Sequence, residues 1–298
     1  MRGLHVIRWV VIRWGLSRRT REVVDAYLII SEPRSGSTWL MEQLVPTWNG
    51  PIAFEPFHPE FGHAGMPEWG GIRPFVPRQA GEGAKERVDR ALTIKSPGVW
   101  EVRRFRLRHY FGSAGVLVKS VRAVFLLPFL VREYRFKRKP LVLLRHPIAT
   151  AKSNVRAWDS RCRWEVLGAD HPLNAIRNEW GMNPQNAFQD RLFLAFAATW
   201  FVTTREDIQR GCDVVHYEDL LMRGKQALVG TDAEELVTSW SNRPSSTVFE
   251  RGELKSGEQQ LTKALGHISE EDRRFVDDLW SKYPDCVYRK NEPFPVLT

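Results

Sequence analysis

Arg34, Ser35, Gly36, Ser37, Thr38 and Trp39 follow a short apolar run and open a segment with helical apolar spacing. Small residues here let the backbone approach a ligand closely. A loop between a buried strand and a helix start gathers backbone N–H groups and the positive end of the helix dipole, which suits a phosphate. It is not a Walker loop. That pattern needs glycine and lysine where this chain has Ser31 and Ser37. Arg34 supplies a cation on the loop instead.

A second constellation is Leu141-Val-Leu-Leu-Arg-His-Pro-Ile-Ala-Thr-Ala-Lys-Ser153. Arg145 stands at the carboxyl end of an apolar run, where open α/β sheets place ligands. Ser153 follows about two helical turns later. An arginine fork and a hydroxyl can grip one phosphate; a locally capped arginine and a surface serine are the plainer alternative. The third constellation is Val214-Val-His-Tyr-Glu-Asp-Leu-Leu221, a strand leading into a turn, with Tyr217 placed to touch a base. Glu218 and Asp219 fit equally well as helix N-terminal charges.

The elements that must position these residues alternate between strand and helix. Residues 27–30, 52–55, 91–94, 116–118, 141–144 and 214–215 read as strands. Residues 122–134 read as a helix kinked by Pro128, and residues 148–155, 188–209 and 270–282 as further helices. Residues 57–77 are rich in Gly, Pro and aromatics and read as a long loop; residues 156–185 read as irregular. Near-continuous apolar strands alternating with helices imply one α/β domain around a parallel sheet.

At 298 residues the chain can bury a large core, and 43% hydrophobic content is ordinary for a globular protein. The net charge of +9 favours anionic partners. Cys162, Cys212 and Cys286 form no Cys-x-x-Cys pair, and no His-Glu-x-x-His occurs, so neither a disulfide framework nor a metal is expected. Residues 5–14 are apolar but broken by Arg8 and Arg13, then followed by Arg18, Arg19 and Arg21. That stretch is too short and charged for a bilayer span and lacks the features of a signal peptide. The expectation is a basic amphipathic segment over residues 1–25, packed on the domain, with membrane-surface contact as the alternative.

Together the three constellations resemble one family, the sulfotransferases that use 3′-phosphoadenosine 5′-phosphosulfate (PAPS). Pro33-Arg-Ser-Gly-Ser-Thr-Trp39 looks like the family's 5′-phosphosulfate loop, and Arg145 with Ser153 like its 3′-phosphate motif. His216-Tyr-Glu-Asp-Leu220 looks like the strand whose tyrosine lies near adenine. Glu250-Arg251-Gly252 resembles the late segment that closes over the 3′-phosphate, although Glu250 and Glu253 depart from the pattern. Arg-Ser-Gly-Ser, Phe54-Glu-Pro-Phe-His58 and Val118-Lys-Ser-Val-Arg122 are similar to the carbohydrate branch.

The resemblance implies a P-loop-like sulfotransferase domain over residues 26–298 and sulfation of a hydroxyl acceptor, a carbohydrate or glycolipid. Arg34, with the loop N–H groups of Ser35 to Trp39, would hold the phosphosulfate. Lys119 would reach the sulfuryl group, with Lys95 as rival. Glu55 would take the acceptor proton, with His58 as the spare base. Trp39 and Tyr217 would flank adenine, and Arg145, Ser153 and Arg251 would hold the 3′-phosphate. A cytoplasmic enzyme without nucleic-acid partners is expected. Trp69, Trp158, Trp164 and Trp180 are candidates to stack on the acceptor, and the run Arg103, Arg104, Arg106 and Arg108 to recognise an acidic glycan. Two other readings stay open: a small-molecule kinase needing ATP and Mg²⁺, and a non-enzymatic basic protein on nucleic acid or membrane.

Overall fold

The computed structural model describes residues 2–17, 20–60, 62, 65–66, 73–77, 82–94, 108–158, 167, 170–241, 268–290, 292 and 295–296. In chain order the main elements are α1 (Arg2–Ser17), β1 (Tyr27–Ser31), α2 (Ser37–Leu44), β2 (Ile52–Phe54), α3 (Glu82–Thr93), α4 (Arg108–Phe111), β3 (Leu117–Ser120), α5 (Leu127–Glu133), β4 (Leu141–Leu144), α6 (Pro147–Ala157), α7 (Pro172–Glu179), α8 (Ala187–Thr204), α9 (Glu206–Gly211), β5 (Asp213–His216), α10 (Tyr217–Arg223) and α11 (Glu270–Lys282).

The five strands form one sheet in the order β2-β3-β1-β4-β5, with every neighbouring pair parallel. β1, β3 and β4 are buried along their whole length; β1 and β4 are near-continuous apolar runs, as helices covering both faces require, while β3 buries Lys119 and Ser120 at its carboxyl end. From β1 the chain crosses to β2 on one side; from β4 it crosses to β5 on the other. The loops leaving these adjacent strands therefore diverge and open a crevice at their carboxyl ends, where α/β sheets bind ligands.

Helix α8 is apolar nearly all round and lies in the core against α6. It places Thr199 and Ala195 beneath the β1 and β4 loops, where they line a small cavity with Ser35, Arg145 and Thr150.

Several expectations need correcting. Residues 91–94 are not a strand. They end α3, where Ala84, Val88, Ala91 and Leu92 form one buried helical face. Four residues, three of them apolar, are too few to separate the two periodicities. The 188–209 segment is two helices, broken at Arg205, whose backbone is extended (φ −95°, ψ 111°). Pro128 does not kink a helix but starts α5, where its missing N–H is harmless. The 156–185 stretch contains α7. Tyr217 is not in a turn but is the first residue of α10.

Candidate functional site

The loop after β1 has a strained backbone. Arg34 has φ +66° and Gly36 φ +92°, both in the left-handed region. A Cβ on Gly36 would lie 2.4 Å from Cε2 of Tyr217, so a side chain there is excluded twice over. Gly36 accepts the N–H of Leu40 at 3.0 Å and starts α2, whose first N–H groups have no partner within the helix. The hydroxyls of Ser31 and Ser37 lie 2.8 Å apart and fix the loop's two ends.

The β4 constellation closes on this loop. Arg34 Nε donates to Ser153 Oγ at 3.2 Å, and Arg145 Nη1 donates to the Arg34 carbonyl at 2.7 Å. The buried Asn154 donates to the carbonyls of Pro33 and Thr150, both at 3.0 Å. Arg145 lies over the Tyr217 ring, 4.7 Å from its centroid. Trp39 meets Tyr217 edge to face at 6.1 Å and Trp240 at 5.0 Å.

The crevice is electropositive. Burial, then the charges of Arg145 and Arg156, hold the Arg34 guanidinium below its ordinary pKa. Burial and Arg156 act likewise on Lys152. Arg145 Nε is buried and makes no hydrogen bond to any described residue. Crowded cations with a buried, unanswered donor form a site that an anion would complete.

Glu55 also has left-handed backbone, φ +55°. Its carboxylate is buried against Lys119 Nζ at 2.5 Å and accepts the Val121 N–H at 3.1–3.2 Å. The Lys119 ammonium also lies 4.6 Å from the Phe54 ring centroid. The register that pairs Phe54 and Ile29 with Lys119 sets Lys119 one strand from the end of β1. His58 is half-buried, and burial, then Arg122, push its pKa down. Its Nδ1 accepts the Glu60 N–H at 3.2 Å, so the ring proton sits on Nε2.

Buried polar groups brace the crevice. Glu32, next to the loop, pairs with Arg73, and the Arg73 carbonyl accepts from His171 Nε2 at 2.8 Å. On the other side, the wholly buried Glu218 accepts the His146 N–H at 3.0 Å and the Tyr288 hydroxyl at 2.8 Å. The Tyr288 oxygen in turn accepts from His216 Nδ1 at 2.8 Å. Burial raises the Glu218 pKa and pushes those of His146, His171 and His216 down to about 4.

Arg34, Ser35, Gly36, Ser37, Thr38, Trp39, Arg145, Ser153 and Tyr217 thus lie around one crevice, while Glu55 and Lys119 meet as an ion pair on the neighbouring strands. Trp158 is half exposed, its ring 6.0 Å from the Arg34 guanidinium carbon; Trp180 is buried against Phe193, Phe196 and Trp200. Lys95, Arg251, Trp69, Trp164 and the arginines at 103, 104 and 106 lie outside the described residues. Sequence reasoning missed Asn154, Glu32 and Arg73. Only adjacency to Ser153 and Pro33 marked the first two, and Arg73 stands in a stretch without periodicity. Among the described residues, no group of three or more His, Cys, Asp or Glu could hold a metal ion.

No protein-family model matches the chain, and no curated protein matches it. One solved structure similar to it is a sulfotransferase domain from the curacin biosynthetic pathway, at 16% identity over 68% of this chain and 70% of that one, with a TM-score of 0.34. At that TM-score the likeness carries no argument. The fold class rests on the sheet itself: an α/β domain with a five-stranded parallel sheet flanked by helices.

Proposed function

We propose that the chain is a sulfotransferase, moving a sulfuryl group from PAPS to the hydroxyl of a carbohydrate or glycolipid. One observation carries the reading: Arg34, Arg145 and Ser153, from motifs more than a hundred residues apart, meet at one point with Arg145 Nε buried and unanswered. Such a two-ended cationic clamp suits a nucleotide with phosphates on both its 5′ and 3′ sides. The α2 N-terminus and Arg34 take the 5′-phosphosulfate, Arg145, Ser153 and Arg251 the 3′-phosphate, and Tyr217 and Trp39 flank the base.

In the reaction the acceptor oxygen forms a bond to sulfur as the sulfur–oxygen bond to the phosphate breaks, releasing adenosine 3′,5′-bisphosphate. Charge grows on the sulfuryl and leaving oxygens, so positioned cations supply most of the catalysis. Lys119 turns from Glu55 toward that charge, and the freed Glu55 carboxylate takes the acceptor proton. His58 serves less well, because its Nδ1 is occupied and its Nε2 already carries a proton.

Calorimetric titration with adenosine 3′,5′-bisphosphate and with ADP tests this. The bisphosphate should bind at least about tenfold more tightly, the value of one charge-assisted contact. ADP binding as tightly, with Mg²⁺ improving it, would overturn the reading in favour of a kinase.

A further inference from the structure

Helix α1 is apolar on two sides. Ile12 and Leu16 are buried in the core, and Gly15 packs beneath the Phe111 ring of α4. On the outward side Ile7, Val10 and Trp14 are 65%, 53% and 50% exposed. Phe111, edge-on to Trp14 at 5.9 Å, is 36% exposed and extends the strip. Positions 7, 10 and 14 share one helical stripe, on the side where a helix of a water-facing domain normally turns polar residues outward.

The charge of the same segment is one-sided. Arg2, Arg8, Arg13, Arg18, Arg19 and Arg21 precede the first carboxylate, Glu22. These six arginines, set against a net charge of +9, concentrate most of the excess in 21 residues. The first turn of α1 holds no acidic residue to answer the helix dipole, a charge that an anionic surface would offset. The helix does not span a bilayer. Its 16 residues reach about 24 Å, short of a hydrocarbon core of about 30 Å, and no described helix is long and apolar enough to cross a membrane.

We infer that α1 and Phe111 form a docking surface for an anionic lipid bilayer. The helix lies in the interface, with Ile7, Val10, Trp14 and Phe111 toward the acyl chains, and the segment's net positive charge draws it to anionic headgroups. The strip sits at the amino edge of the sheet. Gly112, the residue after Phe111, packs on the Asn49 carbonyl ahead of β2, and Gly115 packs on Asp25 ahead of β1. Docking there leaves the crevice at the carboxyl edge open to water.

Co-sedimentation of the full chain with vesicles tests the inference. It should bind phosphatidylcholine–phosphatidylglycerol vesicles and bind pure phosphatidylcholine vesicles far less. Ile7→Glu with Trp14→Glu should cut binding to the mixed vesicles by about tenfold or more per side chain replaced. The melting temperature should hold, because both side chains are at least half exposed. Arg18→Gln with Arg19→Gln should cut binding by about fivefold per charge, on the mixed vesicles alone. Failure of the wild-type chain to bind mixed vesicles at low salt, or equal binding by the Ile7/Trp14 variant, would overturn it. So would a wild-type dimer that this variant makes monomeric without any vesicle binding, which would assign the strip to a second copy of the chain.

Discussion

Arg145 donates Nη1 to the backbone carbonyl of Arg34 at 2.7 Å, across 111 residues of sequence. The bond ties the end of β4 to the strained loop after β1 and sets two guanidinium groups side by side. Burial and the charges of Arg145 and Arg156 already depress the Arg34 pKa. The fold therefore holds cations together at a cost that an anionic ligand would relieve.

Arg145→Ala should weaken adenosine 3′,5′-bisphosphate by about 10–100-fold, the value of one or two charge-assisted hydrogen bonds. Adenosine 5′-phosphosulfate, which lacks the 3′-phosphate, should lose far less. Titration calorimetry with both nucleotides separates the roles. Equal losses would mean that Arg145 acts through the Arg34 loop and not on a 3′-phosphate.

Gly36→Ala should damage both fold and site. The new Cβ meets the Tyr217 ring at 2.4 Å and the backbone stays at φ +92°. Left-handed strain and overpacking together cost about 2–5 kcal/mol, or roughly 3–8 °C in melting temperature for a chain of this size. Gly181→Ala, at φ +63° with open space around its Cβ, carries the strain without the clash and should cost less. A wild-type melting curve for Gly36→Ala would show that the loop gives way freely.

β1 and β4 were legible because both are unbroken apolar runs ended by Pro33 and by Arg145-His-Pro147, and the loop and strand-end arginine follow from those endings. The N-terminal segment reads in the sequence only as basic and amphipathic; the structure adds that Arg2–Ser17 form a helix. The start of α3, Glu82 to Arg90, was masked by charge, so only its apolar end stood out. Contacts made by the fold were not legible. Nothing in the chain pairs Glu55 with Lys119, since that pairing depends on β2 lying beside β3. Nor does it send Tyr288 to Glu218, across 70 residues. Glu218 fits a helix N-terminal charge by sequence, and it does lie in the first turn of α10. Burial gives it a second role, holding the backbone beside Arg145.

Glu55→Gln separates proton transfer from support. Loss of a general base lowers turnover by about 10²–10⁴ while nucleotide affinity stays near wild type. The same change leaves the buried Lys119 ammonium without its carboxylate, at about 3–5 kcal/mol. Pairing it with Lys119→Met should restore much of that stability. Turnover should remain low in both variants, since Lys119 and Glu55 are each assigned to the reaction. Steady-state rates beside melting temperatures decide the point. Full turnover in a folded Glu55→Gln protein would remove Glu55 as the base.

Acid should unfold the protein through its buried histidines. His146 and His171 each stand just before a helix whose first residue is proline, and each accepts an N–H through Nδ1, from Ile148 at 3.2 Å and Leu173 at 3.1 Å. Protonating Nδ1 removes the acceptor and charges a buried ring. Both pKa values fall to about 4 in the folded protein, and that of His216 does the same. Because the unfolded chain binds these protons near pH 6.5, it takes up more of them than the folded one between about pH 6.5 and 4. Stability is fully present above that window and is lost as pH falls through it, by up to about 3 kcal/mol per histidine. Glu218, with its pKa raised by burial, runs the other way and loses stability as pH rises. Thermal unfolding across pH 7 to 4 should show a falling melting temperature. His171→Asn, which keeps a cap acceptor and cannot titrate, should shallow that fall. An acid limb as steep in this variant as in wild type would show that the His171 ring does not drive it.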